Sequence, residues 1–271
     1  MEWRLLNTGF QDGPANMAID EAILLAHAGG KVPPTLRFYG WEPAAVSLGY
    51  FQRFEKEIDV QACQRLGIGW VRRLTGGRAV LHDHEVTYSV IISEEHLPGS
   101  VLETYKELSQ GLLAGFQALG ARAELKAPDS TRVASVKGTS AACFDAPSWY
   151  ELVVERRKIV GSAQTRKSGV ILQHGSIPLS IDLNRLVGIL RVPSEQARAR
   201  LKAMLSTKAV GIWDVLPDRP EFGRVAQAMA EGFTQALGME LIPGELTPAE
   251  QRITAQLRQS KYAGDQWTRR R

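Results

Sequence analysis

The order of apolar and turn-forming residues predicts an α/β or α+β fold, a sheet with helices packed on it. Three observations carry that expectation. Strand-length and helix-length apolar segments alternate along the chain. The strand segments cluster before residue 180 and helical ones dominate after it. No stretch rich in Pro, Gly or Ser divides the 271 residues, so they read as a single domain.

Asp12-Gly13-Pro14 opens a first helix, with Met17, Ile19, Ile23 and Leu24 on its core side and Gly29-Gly30 as its stop. Thr35–Tyr39 and Ala45–Tyr50 read as short strands. Asp59 caps a helix through Leu66 that Gly67 ends, and Ile68–Arg72 is the next strand. In Glu85–Ser93 the side chains of Val86, Tyr88, Val90 and Ile92 share one face, the period of a strand. Ser100 starts a long helix whose stripe is Tyr105, Leu108, Leu112, Phe116 and Leu119, closed by Gly120. Residues 126–140 are polar and weakly periodic, a long loop of the kind that usually has a function. Trp149–Val154, a turn at Glu155-Arg156-Arg157 and Lys158–Gln164 read as a hairpin, and Gly169–Leu179 as a further strand. Helices follow over 193–205 and 220–237, and a last one runs from the capping box Thr247-Pro248-Ala249-Glu250 to about Lys261.

Composition narrows the function classes. An apolar fraction of 44% and a charged fraction of 23% exclude disordered and fibrous chains. No segment approaches the about 18 apolar residues of a membrane-spanning helix. The N-terminus MEWRLLNTGF lacks a basic segment leading into an apolar one, so a cytoplasmic address is expected. Two cysteines are too few for a disulfide framework or a Cys-rich zinc site. A net charge of +4 favours an acidic partner without naming it.

Four segments could do chemistry. In the first, Arg72 to Asp83, a strand ends in two arginines and turns through Gly76 and Gly77, whose amides could hold a carbonyl or phosphate oxygen. A hairpin with a glycine bulge and solvated arginines accounts for the same local pattern. His82 and His84 flank Asp83, but a metal needs a third ligand and none is evident, so no metal is expected. The second segment holds Cys143, which follows the long loop and sits in no amphipathic stripe. Cys63, by contrast, lies three residues from both Val60 and Leu66 and reads as a core residue. A nucleophilic thiol must ionise and needs a cation nearby; Lys137, Lys158, Arg166 and His174 are candidates. An inert buried cysteine is the other reading. The third segment begins at Lys158, a charge after a hairpin turn. Such charges are usually solvated, and spacing alone does not bring Lys158 to Cys143. The fourth, Gln173-His174-Gly175-Ser176-Ile177, holds a glycine that marks either a bulge or a close approach.

Taken together, RRLTGGRAVLHD (72–83), ACFDAPSWYEL (142–152), KIVGSAQ (158–164) and LQHGSI (172–177) resemble the biotin/lipoate protein ligase catalytic-domain superfamily. Within it, the cysteine of ACFDAPSWYEL resembles that of the octanoyltransferases of the LipM type. The resemblance implies an α+β fold with a mostly antiparallel central sheet flanked by helices, and an acyl chain lying beside the Gly76-Gly77 loop. It covers residues 30–250 as the catalytic domain, with 1–29 as an N-terminal helix and 251–271 as a C-terminal helix packed on it. The family's acyl-thioester nucleophile falls on Cys143, and the lysine held to lower its pKa falls on Lys158. Substrate-binding positions fall on Arg72, Thr75, Gly76, Gly77, His82, Gly161, Ser162, Ala163 and His174. The implied reaction takes octanoyl from an octanoyl-acyl carrier protein to a lysine of a lipoyl-domain protein, such as the glycine cleavage H protein, with no cofactor and no metal. The chain is expected to act as a monomer, without nucleic acid or membrane.

Three rivals stand beside this reading. An ATP-dependent lipoate–protein ligase would share the glycine loop and Lys158, but it needs no nucleophilic cysteine and usually carries a C-terminal accessory domain. An amidotransferase moving octanoyl between lipoyl proteins also uses a cysteine, in a different local context. A nucleic-acid-binding regulator is suggested only by the basic charge and the Arg269-Arg270-Arg271 tail, with no recognition motif behind it.

Overall fold

The computed structural model describes residues 1–127 and 150–271. Its central element is a six-stranded sheet, in spatial order β10-β11-β6-β2-β1-β12. These strands are β1 (Glu2–Gln11), β2 (Thr35–Trp41), β6 (Glu85–Ser93), β10 (Gly161–Lys167), β11 (Val170–Pro178) and β12 (Glu240–Pro243). The four strands from β10 to β2 pair antiparallel; β1 runs parallel to both its neighbours. A small sheet joins β3 (Ala45–Leu48) to β4 (Gly69–Arg72) and β5 (Val80–His82), and a third joins β7 (Ala123–Lys126), β8 (Glu151–Val154) and β9 (Arg157–Lys158).

The period of two along β6 sorts the interior. Val86, Tyr88, Val90 and Ile92 meet α4 (Val101–Ala118) and α7 (Phe222–Leu237) in one core with Leu112, Phe116, Met229 and Phe233. Each fully buried aliphatic or aromatic side chain there contributes about 1.5–3 kcal/mol. Ile91, on the opposite face, packs with Ile19, Ile23 and Leu24 of α1 (Gly13–Ala28). Its neighbours on that face, Thr87 and Ser89, are polar yet buried. The sheet therefore has one apolar face and one face that turns polar toward the end near α1.

Local signals place the helices. Asp12 caps α1 by accepting from the Ala15 amide at 2.7 Å, and Asp59 caps α3 (Val60–Arg65) through the Ala62 amide. Ser100 with Glu103 and Thr247 with Glu250 form the capping boxes of α4 and α8 (Pro248–Leu257). Helices α5 (Leu183–Gly188) and α6 (Glu195–Lys208), the latter capped by Ser194, cover the small sheet. A short helix α2 (Phe54–Glu57) and a C-terminal turn α9 (Asp265–Thr268) complete the α-helices among the described residues.

Two expectations need correction. Residues 1–29 are not helical throughout: β1 precedes α1 and belongs to the central sheet. Its alternation is masked because Arg4 points inward, where Glu250 accepts from it at 2.6 Å. The strand expected over Lys158–Gln164 is two strands in different sheets. Lys158 ends β9, Ile159 and Val160 are both buried at the crossing, and Gly161 begins β10. Consecutive buried residues break the alternation that a single strand would keep.

Candidate active site

Arg72 and Arg73 leave the end of β4 in opposite directions, as consecutive strand residues must. Arg72 is fully buried, and each of its nitrogens donates to backbone carbonyls: Nη1 to Gly49 and Gln52 at 2.8 and 2.7 Å, Nε and Nη2 to Thr268. Burial pushes its pKa down to about 10. This residue clamps the 49–52 turn to the C-terminal segment and turns away from the pocket, which corrects its assignment to substrate binding.

Arg73 points the other way. Its Nε donates to Thr75 Oγ1 at 3.2 Å and its Nη1 to the Ser47 carbonyl and hydroxyl at 2.9 and 3.0 Å. Its Nη2 donates to the carbonyls of Gly76 and Arg78. The glycine turn is thus wrapped around a guanidinium. Gly77 takes φ +87°, a backbone state that favours glycine, and a Cβ on Gly49 would lie 2.0 Å from the Gly77 carbonyl oxygen. The solvated-arginine reading of this loop does not hold.

From Arg73 two hydrogen-bond chains run into the protein. Thr75 Oγ1 lies 2.6 Å from His174 Nε2, and His174 Nδ1 lies 3.2 Å from Asp20 Oδ2. Ser47 Oγ lies 2.7 Å from His82 Nε2, and His82 Nδ1 lies 2.8 Å from Glu85 Oε1. Both carboxylates have further donors. Asp20 accepts from Arg37 at 2.6 Å, Ser89 and Tyr39; Glu85 accepts from Ser176 at 2.6 Å and from Thr87. Burial pushes the Asp20 carboxyl up, but the Arg37 guanidinium and the His174 contact outweigh it and hold it below the ordinary value. Burial holds the His174 imidazole below its ordinary value against the pull of Asp20. Trp41 stacks on His82 with 3.9 Å between ring centroids.

These chains form one wall of a pocket with about 410 Å³ of empty space. His82 and His174 line it together with Gly77, Gly161, Ser162 and Ala163, and Met17 and Val80 add apolar surface. Six of the residues expected to bind substrate therefore converge. Thr75 and Gly76 act one step behind, through His174 and Arg73.

Gly175 sits in β11 with unbroken register to β10 and β6, so there is no bulge. Its role is close approach: a Cβ would come within 2.5 Å of Ser162 Oγ and 2.6 Å of Tyr88 Cε1. Tyr88 in turn donates to Ser162 at 2.8 Å and accepts from Gln173.

His84 faces Trp213 edge-on and does not join His82. Among the described residues no group of three His, Cys, Asp or Glu side chains is placed to hold a metal, and no helix is long and apolar enough to cross a membrane.

Lys158 is 4% exposed rather than solvated. Its Nζ lies 3.3 Å from Glu151 Oε1, across the β8–β9 pairing, and it does not line the pocket. Cys143 and Lys137 lie outside the described residues, as does most of the loop expected over 126–140. Cys63 is buried in the core beneath the small sheet, as its spacing indicated, and burial raises its thiol to about 11. Sequence reasoning missed Asp20, Arg37, Ser47 and Glu85. The available signal was a charge inside an apolar pattern: Asp20 between Ile19 and Ile23, Arg37 between Leu36 and Phe38.

The chain matches the lipoyl protein ligase A/B catalytic domain over residues 12–234. It is 53% identical to Octanoyltransferase LipM of Kyrpidia tusciae over 99% of both chains. It is 47% identical to Octanoyltransferase LipM of Bacillus subtilis over 99% of this chain and 98% of the relative. Its fold is similar to that of the bi-partite lipoate protein ligase of an archaeal lipoylation system from Thermoplasma acidophilum, solved with its E2 lipoyl domain. The TM-score is 0.84 at 25% identity, covering 99% of this chain and 96% of that one. A lipoate-protein ligase A bound with ATP gives a TM-score of 0.79 at 25% identity, covering 98% of both.

Proposed function

The chain belongs to the lipoyl protein ligase A/B catalytic-domain family and, within it, to the LipM octanoyltransferases, and from that premise we propose that it moves octanoyl by way of a thioester on Cys143. It is an acyltransferase of lipoate biosynthesis. The Cys143 thiolate attacks the thioester carbonyl of octanoyl-acyl carrier protein and expels the carrier's thiolate. The ε-amine of an acceptor lysine then attacks the acyl-cysteine, expels the Cys143 thiolate and releases a proton as the amide forms. Both acyl donors are already activated, so no ATP is consumed. The acceptor is a lipoyl-domain protein, with the glycine cleavage H protein as the specific candidate. The chain acts as a cytoplasmic monomer.

The observation that carries this reading is the near-full-length identity of about half to octanoyltransferases, against 25% to the ATP-bound ligase. Geometry supports it. The pocket has an apolar side and histidines whose nitrogens are engaged, which suits an alkyl chain. Lys158, buried, meets Glu151, eight residues along the chain from Cys143 (151 minus 143). A cation that reaches Cys143 would favour its thiolate. The amides of Gly77 and Gly161, both on the pocket, are the candidates to hold the oxyanion.

The test is transfer from octanoyl-carrier protein to a lipoyl domain without ATP. Wild type and Cys63→Ala are expected to transfer, and Cys143→Ala to be inactive. Transfer by wild type only with ATP and free octanoate would establish a ligase instead.

A further inference from the structure

Hydrogen placement along the two buried chains is forced. Arg73 is a donor only, so the hydroxyl oxygens of Thr75 and Ser47 accept from it. Asp20 accepts from Arg37 and Ser89, and Glu85 from Ser176, so His174 and His82 present Nδ1–H to them. Each hydroxyl then has one proton left and one histidine Nε2 to give it to, at 2.6 and 2.7 Å. A histidine protonated at Nε2 would take the hydroxyl's second lone pair and leave the buried hydroxyl proton without an acceptor among the described partners.

We propose that Arg73 is a positioning residue for the transfer reaction: acting through Ser47 and Thr75, it fixes His82 and His174 as neutral Nδ1–H imidazoles on the wall of the pocket. The functional half of this proposal rests on the reading of the pocket as the seat of the octanoyl chain; the protonation half does not. An imidazolium on that wall would need water that an alkyl chain displaces. The groups that set its state come from every described element around it. His174 faces Asp20 on α1, Thr75 and Arg73 after β4, and His82 on β5, with Arg37 and Tyr39 on β2 reaching it through Asp20. His82 faces Glu85 on β6, Ser47 on β3 and Trp41 on β2. Lysine cannot replace Arg73, since one ammonium cannot reach acceptors spread along a planar fork from Thr75 to Arg78.

The experiment is long-range proton–nitrogen NMR of the full chain labelled at its histidine rings, from pH 5 to 8, with His82→Gln and His174→Gln for assignment. Both rings are expected in the Nδ1–H form at neutral pH in wild type and in Thr75→Ser, which keeps the hydroxyl. In Arg73→Lys both should lose that pattern. The acid limb of kcat/KM for octanoyl-carrier protein should then move up by about one pH unit, an about tenfold change carried by KM rather than kcat. Should Arg73→Lys fail to fold, Ser47→Ala is expected to release His82 alone and leave His174 as it was. An imidazolium or an Nε2–H ring at either position in wild type overturns the proposal. So does Arg73→Lys with unchanged rings and an unchanged pH profile, whatever its stability. A wild type with the expected rings that never takes octanoyl from the carrier would contradict the octanoyl reading of the pocket and leave the assigned protonation standing.

Discussion

Asp20 in the pocket wall and Lys158 on the β8–β9 hairpin are both buried charges, 1% and 4% exposed, but they are buried by different means. Asp20 receives donors from α1's surroundings on every side: Arg37 and Tyr39 from β2, Ser89 from β6, His174 from β11. Lys158 stands on a two-residue strand of a small sheet, and the carboxylate it meets, Glu151, is 32% exposed in its side chain. A charge tied into several elements is part of the architecture, and its loss is read in stability. A charge held on a short hairpin beside a half-exposed carboxylate can act on a neighbour at little cost to the fold.

Asp20→Ala should be the most damaging change. It leaves Arg37 buried without its carboxylate, and urea unfolding should show a loss of about 3–5 kcal/mol. Lys158→Ala should cost about 1 kcal/mol in the same measurement. Similar losses at both positions would erase the distinction.

Activity should divide the two the other way. If Lys158 ionises Cys143, Lys158→Ala should slow iodoacetamide alkylation at neutral pH about tenfold for each unit by which the thiol's pKa rises. Cys63, with its thiol near 11, contributes little to that signal. Lys158→Arg should recover part of the rate even where transfer stays slow. Equal alkylation with lost transfer would move Lys158 onto the acyl carbonyl or the carrier.

The wall has a smaller, pH-dependent signature. Asp20 and His174 both titrate below their ordinary values of 3.8 and 6.5 in the folded protein. On acidification the unfolded chain takes up each proton first, so folding stability falls as pH drops. The loss begins near pH 6.5 for His174 and near 3.8 for Asp20, and is complete below each folded value. His174→Gln should flatten the slope of unfolding free energy just below pH 6.5. A slope that survives the substitution would locate the titrating group elsewhere.

The smallest effect belongs to Cys63→Ala. Losing one sulfur from the core under the small sheet should cost about 1 kcal/mol and leave transfer intact.

What could be read from sequence follows from how far each signal reaches. Caps and stripes act over a few residues, so α1, α4 and α8 were legible from Asp12, Ser100 and Thr247. β1 was not, because its inward Arg4 finds its partner at Glu250, beyond any local pattern. The glycine turn was legible as a loop. That Arg72 turns from the pocket and Arg73 into it depends on Ser47, Thr268 and the small sheet, which only the fold brings together. Charges inside apolar runs, Asp20 and Arg37, were the unused clue to the wall.

The thioester is the central claim, and intact mass tests it most directly. The full chain is incubated with octanoyl-carrier protein, without ATP and without acceptor, then digested to locate the adduct. One octanoyl group on the peptide bearing Cys143, released by hydroxylamine and consumed when a lipoyl domain is added, is the predicted result. An unmodified chain that still transfers octanoyl to the lipoyl domain would contradict the account.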